Sequence, residues 1–173
     1  RDSVLEGVSL HVSAGESLAV MGPSGSGKST LLHCMSGVLT PDSGQVLFEG
    51  RNIAALDDAA RSKLRLNHFG FIFQDGQLLP ELTATENVAL PQIMRGTPRK
   101  DAHEQANDML TRLGLGNFVS RFPGQLSGGQ SQRVAIARAL AGPPKVVFAD
   151  EPTAALDQAT GHEVMQELSL IHI

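Results

Sequence analysis

A glycine-rich segment has the composition of a phosphate-binding loop. Residues Gly22–Ser29 fit the pattern G-x-x-x-x-G-K-[ST]. Glycines allow successive backbone N–H groups to point at phosphate oxygens without interference from a Cβ atom. A helix beginning at Lys28 adds the positive end of its dipole, and the lysine reaches the β- and γ-phosphates. The spacing therefore predicts a nucleotide site, with these contact residues: Gly22, Pro23, Ser24, Gly25, Ser26, Gly27, Lys28, Ser29 and Thr30.

Two acidic residues follow an apolar segment much later in the chain. Val146–Ala149 is predicted to be a buried strand, and Asp150 and Glu151 come directly after it. Ligand sites in open α/β sheets lie at the carboxyl ends of the strands. We expect Asp150 to bind Mg²⁺ together with the Ser29 hydroxyl, and Glu151 to polarise the attacking water as a general base.

A second helix start also has the features of an anion site. In Leu126–Gln130, Ser127 is positioned to cap a helix, and Gly128 and Gly129 follow it. Two helix ends suited to phosphate in one chain suggest two surfaces that meet on one nucleotide.

The elements around these residues alternate between strand and helix. Apolar alternation or apolar runs predict strands at Val8–Val12, Ser17–Met21, Phe69–Phe73 and Lys145–Ala149, with a turn and a short strand in Asp42–Gly50. Helices are predicted at Lys28–Met35, Asp101–Leu113 and about Gly129–Ala141. A charged stretch, Asp57–Arg65, is interpreted as a solvated helix. The order predicts an α/β fold with a parallel sheet.

One further helix is predicted to begin at a capping box and to be interrupted by a proline. Thr83–Glu86 has the spacing of a capping box and should begin a helix. Pro91 should kink or end it, because proline lacks the N–H that the helix ladder needs.

Composition limits the function classes. The chain has 173 residues and a formal net charge of −4, which disfavours a nucleic-acid partner. Apolar residues make up 41% and charged residues 18%, as in a folded domain. The one cysteine, Cys34, is expected to be a buried apolar side chain in a reducing compartment. The six histidines show no metal-ligand spacing.

Taken together, the motifs resemble the nucleotide-binding subunit of ATP-binding-cassette (ABC) transporters. Leu126–Gln130 followed by Arg133 is similar to the family's signature motif. Gln74 matches the Q-loop glutamine, and Asp157 matches the D-loop aspartate. The resemblance covers about residues 4–167 and implies ATP and Mg²⁺ as cofactors. It also implies that Gln74 contributes to the metal site and to catalysis.

The resemblance implies a homodimer that encloses two ATP molecules. Each ATP would contact Lys28, Ser29, Gln74, Asp150 and Glu151 of one chain. The opposite chain would contribute its signature residues and D-loop, namely Ser127, Gly128, Gly129, Gln130 and Asp157.

The family fold implies one ABC domain over residues 1–173. It would have a P-loop, RecA-like core with a small antiparallel β region, over about residues 1–79 and 139–167, and a helical subdomain over about 80–138. The segments Asn67–Gln74 and Leu78–Pro91 are similar to the lipoprotein-release and macrolide-export (LolD/MacB-type) group, which includes antimicrobial-peptide exporters. This implies a membrane permease as partner and a peripheral position on the cytoplasmic face of the inner membrane.

Two features of the family are not matched. No aromatic residue precedes the P-loop, where the family stacks one on adenine. The family also has a switch histidine after its next strand. We do not expect His172 to be this residue, because Leu168–Ile173 directly continues a helix. We expect a fragment truncated at both ends and prone to aggregation. Residues 168–173 are interpreted as a non-native tail read through from a sequencing adapter, with the natural apolar end of a helix as the alternative.

Two other functions remain open at this stage. One is a cell-division type of ABC ATPase that transmits force without moving a substrate. The other is a soluble ABC ATPase of DNA repair or translation, although the coiled-coil insertion or tandem cassettes usual there are not seen.

Overall fold

The computed structural model describes residues 4–73, 76–152 and 161. The chain divides into two compact units, one up to Arg65 and the other from Leu66 onward. The predicted subdomain boundaries at residues 79, 138 and 167 remain a prediction.

The first unit contains the glycine-rich loop and a small hairpin. Helix α1 spans Lys28–Met35, and Gly37, two residues further on, has a left-handed φ of 67° that is common just after a helix end. Strands β1 (Leu47–Phe48) and β2 (Arg51–Asn52) pair antiparallel, which confirms the short strand expected there. Helix α2 spans Asp58–His68 and has no buried residue, as expected of a solvated helix.

Two strands predicted in this unit do not form. Over residues 4–21 the described backbone has no strand, and side chains such as Val8, Val20 and Met21 are exposed. Apolar alternation marks a segment suited to a strand, but a strand exists only where a neighbour supplies hydrogen bonds. In the described part of this unit the only paired strands are β1 and β2.

The described residues of the second unit include three α-helices and a parallel strand pair. Strand β3 (Phe69–Ile72) pairs in parallel with β4 (Val146–Ala149), as predicted. The helices are α3 (Ala84–Met94), α4 (Arg99–Arg112) and α5 (Gly128–Leu140). Three short 3₁₀ helices complete the description: Ile53–Ala55 in the first unit, and Gly116–Phe118 and Pro123–Gln125 in the second.

The core of the second unit lies where α3, α4 and α5 meet the strand pair. Ala102, Ala106 and Leu110, on one face of α4, are fully buried. They pack with Val88 of α3 and Ile136 of α5 in one hydrophobic cluster.

The prediction that Pro91 would end its helix is wrong, because α3 continues through it to Met94. The kink expected as the other outcome stays a prediction. The last turn of α3 is held by hydrogen bonds to other elements. The Gln92 amide donates to the carbonyl of Ala141 at 2.8 Å, and the Arg95 Nε donates to that of Leu66 at 2.7 Å. These bonds offset the one that proline cannot make.

Candidate functional site

The glycine-rich loop has the backbone shape that its sequence predicts. Gly25 and Gly27 have φ angles of 78° and 89°, in the left-handed region where a side chain is strained. Gly27 is the N-cap of α1 and no side chain caps this helix. The first N–H groups of α1 therefore have no intrahelical acceptor, and no acidic residue lies in the first turn.

Lys28 folds back over this loop. Its Nζ donates to the carbonyl of Gly22 at 3.0 Å and to that of Pro23 at 2.8 Å. Ser29 is exposed and Thr30 is half-buried in the same first turn. A cation, a helix N-terminus and an exposed loop without acidic neighbours in the turn fit the phosphates of a nucleotide.

Ser127 caps α5 as predicted. Its hydroxyl accepts the N–H of Gln130 at 3.2 Å, while the Gln130 side chain accepts the N–H of Ser127 at 2.9 Å. Gly128 and Gly129 are the first two residues of the helix and no acidic residue is in its first turn. The α5 N-terminus is thus a second exposed helix end suited to an anion.

The two acids follow β4, and the second one has unusual backbone geometry. The N–H of Asp150 donates to the carbonyl of Ile72 at 2.9 Å, which extends the pairing of β4 with β3. Glu151 has a φ of 47°, a left-handed conformation that costs a residue with a side chain about 1 kcal/mol or more. Its carboxylate is exposed, so it is accessible to water and ligand.

Gln74 and Asp157 lie outside the described residues, as does the tail 168–173 with His172. The structure describes the glycine-rich loop within the first unit and the two acids and α5 within the second. Within the second unit, it brings the end of β3, the end of β4 and one face of α5 together.

Two residues of α5 that the sequence analysis did not single out connect these parts. The Gln132 amide donates to the carbonyls of Phe73, at 3.4 Å, and Pro152, at 2.9 Å. The Arg138 guanidinium donates to the carbonyls of Gly76 and Gln77, each at 2.8 Å. Burial lowers the pKa of Arg138 from its ordinary value.

A signal for Gln132 was present in the sequence. It precedes Ala135, Ile136 and Ala139 by three, four and seven positions, which places it on the buried face of α5. A polar side chain on such a face needs a partner inside the protein, although the pattern alone does not say which one.

Comparison with known proteins identifies the family. Residues 5–154 match the ABC transporter family. The lipoprotein-releasing system ATP-binding protein LolD 2 of Caulobacter vibrioides is 50% identical over 165 residues, which are 95% of this chain and 72% of that protein. The macrolide export ATP-binding/permease protein MacB 2 of Aeromonas hydrophila is 49% identical over 170 residues, which are 98% of this chain and 26% of that protein.

A solved structure of an ATP-binding cassette is also similar to this chain. The dimeric ATP-binding cassette MJ0796, in a post-hydrolysis state bound to ADP and Pi, has a TM-score of 0.90 and 43% identity. The match covers 95% of this chain and 73% of that one. The chain therefore belongs to the ABC transporter family and has its P-loop α/β fold. It is the ATP-binding and ATP-hydrolysing part of such a transporter.

The described residues lack both a membrane-spanning helix and a cluster of metal ligands. No helix there is long and apolar enough to cross a bilayer. No group of three or more histidine, cysteine or acidic side chains is arranged there to hold a metal ion.

Proposed function

We propose that this chain hydrolyses Mg²⁺-bound ATP between two copies of itself and thereby drives a partner permease. The observation that carries the proposal is the loop at α1, where Lys28 bridges the carbonyls of Gly22 and Pro23 beside an uncapped helix start. When ATP binds, Lys28 exchanges these neutral carbonyls for charged phosphate oxygens, which accept stronger hydrogen bonds. The N–H groups of Gly25, Gly27 and Lys28 bind the same phosphates.

The metal ligands in this proposal are Ser29, Gln74 and Asp150. Ser29 supplies an exposed hydroxyl beside Lys28, and Asp150 supplies a carboxylate at the end of β4. Oxygen ligands of this kind suit Mg²⁺, which neutralises charge on the phosphates when bound. Three ligands from the chain leave positions for phosphate oxygens and water, as Mg²⁺ sites in phosphoryl-transfer enzymes require.

Glu151 is the general base in the proposed reaction. Its exposed carboxylate accepts a proton from the water that attacks the γ-phosphate. Glu151 has a left-handed backbone conformation and is exposed directly after β4. Strained backbone of this kind is concentrated at functional sites, which supports the assignment.

The second copy contributes the start of α5, with Ser127, Gly128, Gly129 and Gln130, together with Asp157. The uncovered N–H groups of this helix and the absence of acidic residues in its first turn support binding to the γ-phosphate of the opposite nucleotide. The dimeric state of the related cassette MJ0796 supports two copies. ATP then joins two chains, and its hydrolysis separates them.

The partner in this proposal is a membrane permease, with the chain peripheral to the cytoplasmic face of the inner membrane. Support comes from the relatives: one is named as a lipoprotein-releasing system component, and another combines ATP-binding and permease parts in one protein. The transported substrate would then be a lipoprotein, a macrolide or an antimicrobial peptide, and the permease would select it.

The test is the substitution Glu151→Gln. It should leave ATP binding unchanged while lowering kcat about 100-fold or more, because the water loses its proton acceptor. Glu104→Gln is the matched control, since it removes an exposed carboxylate on α4. Turnover and nucleotide affinity are measured for both. Normal turnover in Glu151→Gln would remove Glu151 from the role of base.

A further inference from the structure

Gln132 is a buried polar residue whose partners are the two strand ends of the site. Its side chain is on α5, and only 2% of the residue is exposed. Burying an amide costs free energy unless hydrogen bonds replace those with water. The Gln132 Nε2 donates to the carbonyl of Phe73, just after β3, and to that of Pro152, just after Glu151.

The bond to Pro152 matters because Glu151 is strained. A non-glycine residue in the left-handed region persists only where its surroundings hold it. On one side, the N–H of Asp150 donates to the carbonyl of Ile72 at 2.9 Å. On the other side, Gln132 holds the carbonyl of Pro152 at 2.9 Å. The backbone of Glu151 is therefore fixed both before and after the strained residue.

The same amide also ties this segment to β3. Its contact with Phe73 means that one side chain bridges the ends of both parallel strands. Gly76 packs against the same part of α5: a Cβ atom there would lie 3.7 Å from the Gln132 Oε1 and 3.6 Å from Ala135. Loss of the amide would remove this donor from both carbonyls, although that of Phe73 still accepts the N–H of Gly76 at 3.0 Å. Pro152 would then be free to move, and the strained backbone at Glu151 could relax.

We propose that Gln132 is a positioning residue that fixes the orientation of Glu151 through the carbonyl of Pro152. This inference rests on the proposed role of Glu151 as general base. Helix α5 in this view has two tasks: its N-terminus binds phosphate of the opposite nucleotide, and its buried glutamine holds the base of its own chain. A small displacement of a catalytic group lowers kcat more than it lowers substrate binding.

The first test is Gln132→Met, which keeps the length and volume of the side chain and removes the donor. We expect kcat for ATP hydrolysis to fall about 10- to 100-fold, while the KM for ATP stays within about twofold. The matched control is Gln92→Met. Gln92 is also a buried glutamine, 3% exposed, whose amide donates to a backbone carbonyl at 2.8 Å, but that carbonyl belongs to Ala141.

Gln132→Met removes two hydrogen bonds of a buried amide, one of them long at 3.4 Å, and Gln92→Met removes one. Both substitutions should therefore lower the unfolding temperature. Only Gln132→Met should lower kcat. Equal kcat values in the two variants would overturn the proposal, because the effect would then be one of stability alone.

A second variant covers the case in which Gln132→Met does not fold. Gln132→Glu keeps the shape of the side chain, and burial raises the pKa of the new carboxyl group. The protonated form can donate to Pro152 and the charged form cannot. We expect kcat relative to the unsubstituted protein to rise at least threefold between pH 8.5 and pH 6. A ratio near one at both pH values would overturn the proposal.

The double variant separates this inference from the proposed function. If Gln132 acts through Glu151, adding Gln132→Met to Glu151→Gln should lower the residual kcat by less than about twofold. Losses that multiply would refute the positioning role alone. Normal turnover in the single variant Glu151→Gln would instead refute the proposed function, whatever Gln132→Met does.

Discussion

Gly70 shows how a single residue can set the distance between two elements. It lies in β3, and a Cβ atom added there would be 2.5 Å from the carbonyl oxygen of Ala139 and 3.2 Å from its carbonyl carbon. Atoms of backbone cannot move aside as a flexible side chain can. Glycine at this position therefore lets β3 approach the last turn of α5.

The corresponding prediction concerns stability. Gly70→Ala should lower the free energy of unfolding by about 1–3 kcal/mol, because the strand and the helix must separate. The control is Gly124→Ala, where a Cβ atom would meet nothing within 4 Å and φ is not positive. That control should change stability by less than about 0.5 kcal/mol. Urea denaturation measures both, and equal losses would contradict the steric explanation.

At Glu151, by contrast, the residue has a side chain and its backbone is strained. Its sequence position after β4 indicates a metal or base role, but nothing in the sequence indicates a φ of 47°. The bonds that maintain this conformation come from Ile72 and Gln132, which are far away along the chain. Sequence reasoning proposed Glu151 as a site residue and missed the groups that hold the backbone on either side of it.

At the scale of elements, helices with local start and stop signals were predictable. Thr83 forms the expected capping box with Glu86, and Ser127 forms one with Gln130. The strands predicted at Val8–Val12 and Ser17–Met21 do not form, and local sequence could not indicate this, because a strand depends on a partner elsewhere in the chain. Continuation of α3 through Pro91 likewise depends on tertiary bonds made by Gln92 and Arg95.

Helix α3 gives a pH-dependent prediction. The Thr83 N–H and hydroxyl groups donate to the Glu86 carboxylate at 3.0 and 2.9 Å and lower its pKa below the ordinary value. Arg99 and His103 lower the same pKa further through their charges. A carboxylate with a lowered folded-state pKa stabilises the fold above its ordinary value near ~4.3, and this stabilisation is lost as the pH falls through the folded-state pKa.

Glu86→Gln tests this contribution. Glutamine keeps an acceptor for the capping box and does not titrate. The unsubstituted protein should therefore exceed the variant in urea midpoint at pH 7, and the difference should shrink as the pH falls below about 4. Glu104→Gln is the control, since that exposed carboxylate lies 3.9 Å from Lys100. An equal difference for Glu86→Gln at both pH values would contradict the prediction.

At the scale of the whole molecule, the proposed ATP site takes residues from two chains. Helix α5 begins with an exposed, capped N-terminus, while its buried face holds the ends of β3 and β4. The first turn can therefore contact another molecule without disturbing the packing of its own unit. In the proposed site the phosphates of ATP lie between the helix starts of two chains, so the dimer should depend on bound nucleotide.

Dimerisation is tested by Ser127→Arg, studied together with Glu151→Gln so that bound ATP persists. The long cation should block the start of α5 to the opposite nucleotide, and removal of the serine cap should cost about 1 kcal/mol of stability. We expect ATP binding by the single chain to remain and the ATP-dependent dimer to disappear in sedimentation velocity experiments. Gln105→Arg adds the same charge on an exposed position of α4 and should leave the dimer intact. An unchanged ATP-dependent dimer in the Ser127→Arg protein would refute the two-chain site, because no phosphate contact could then come from the second helix start.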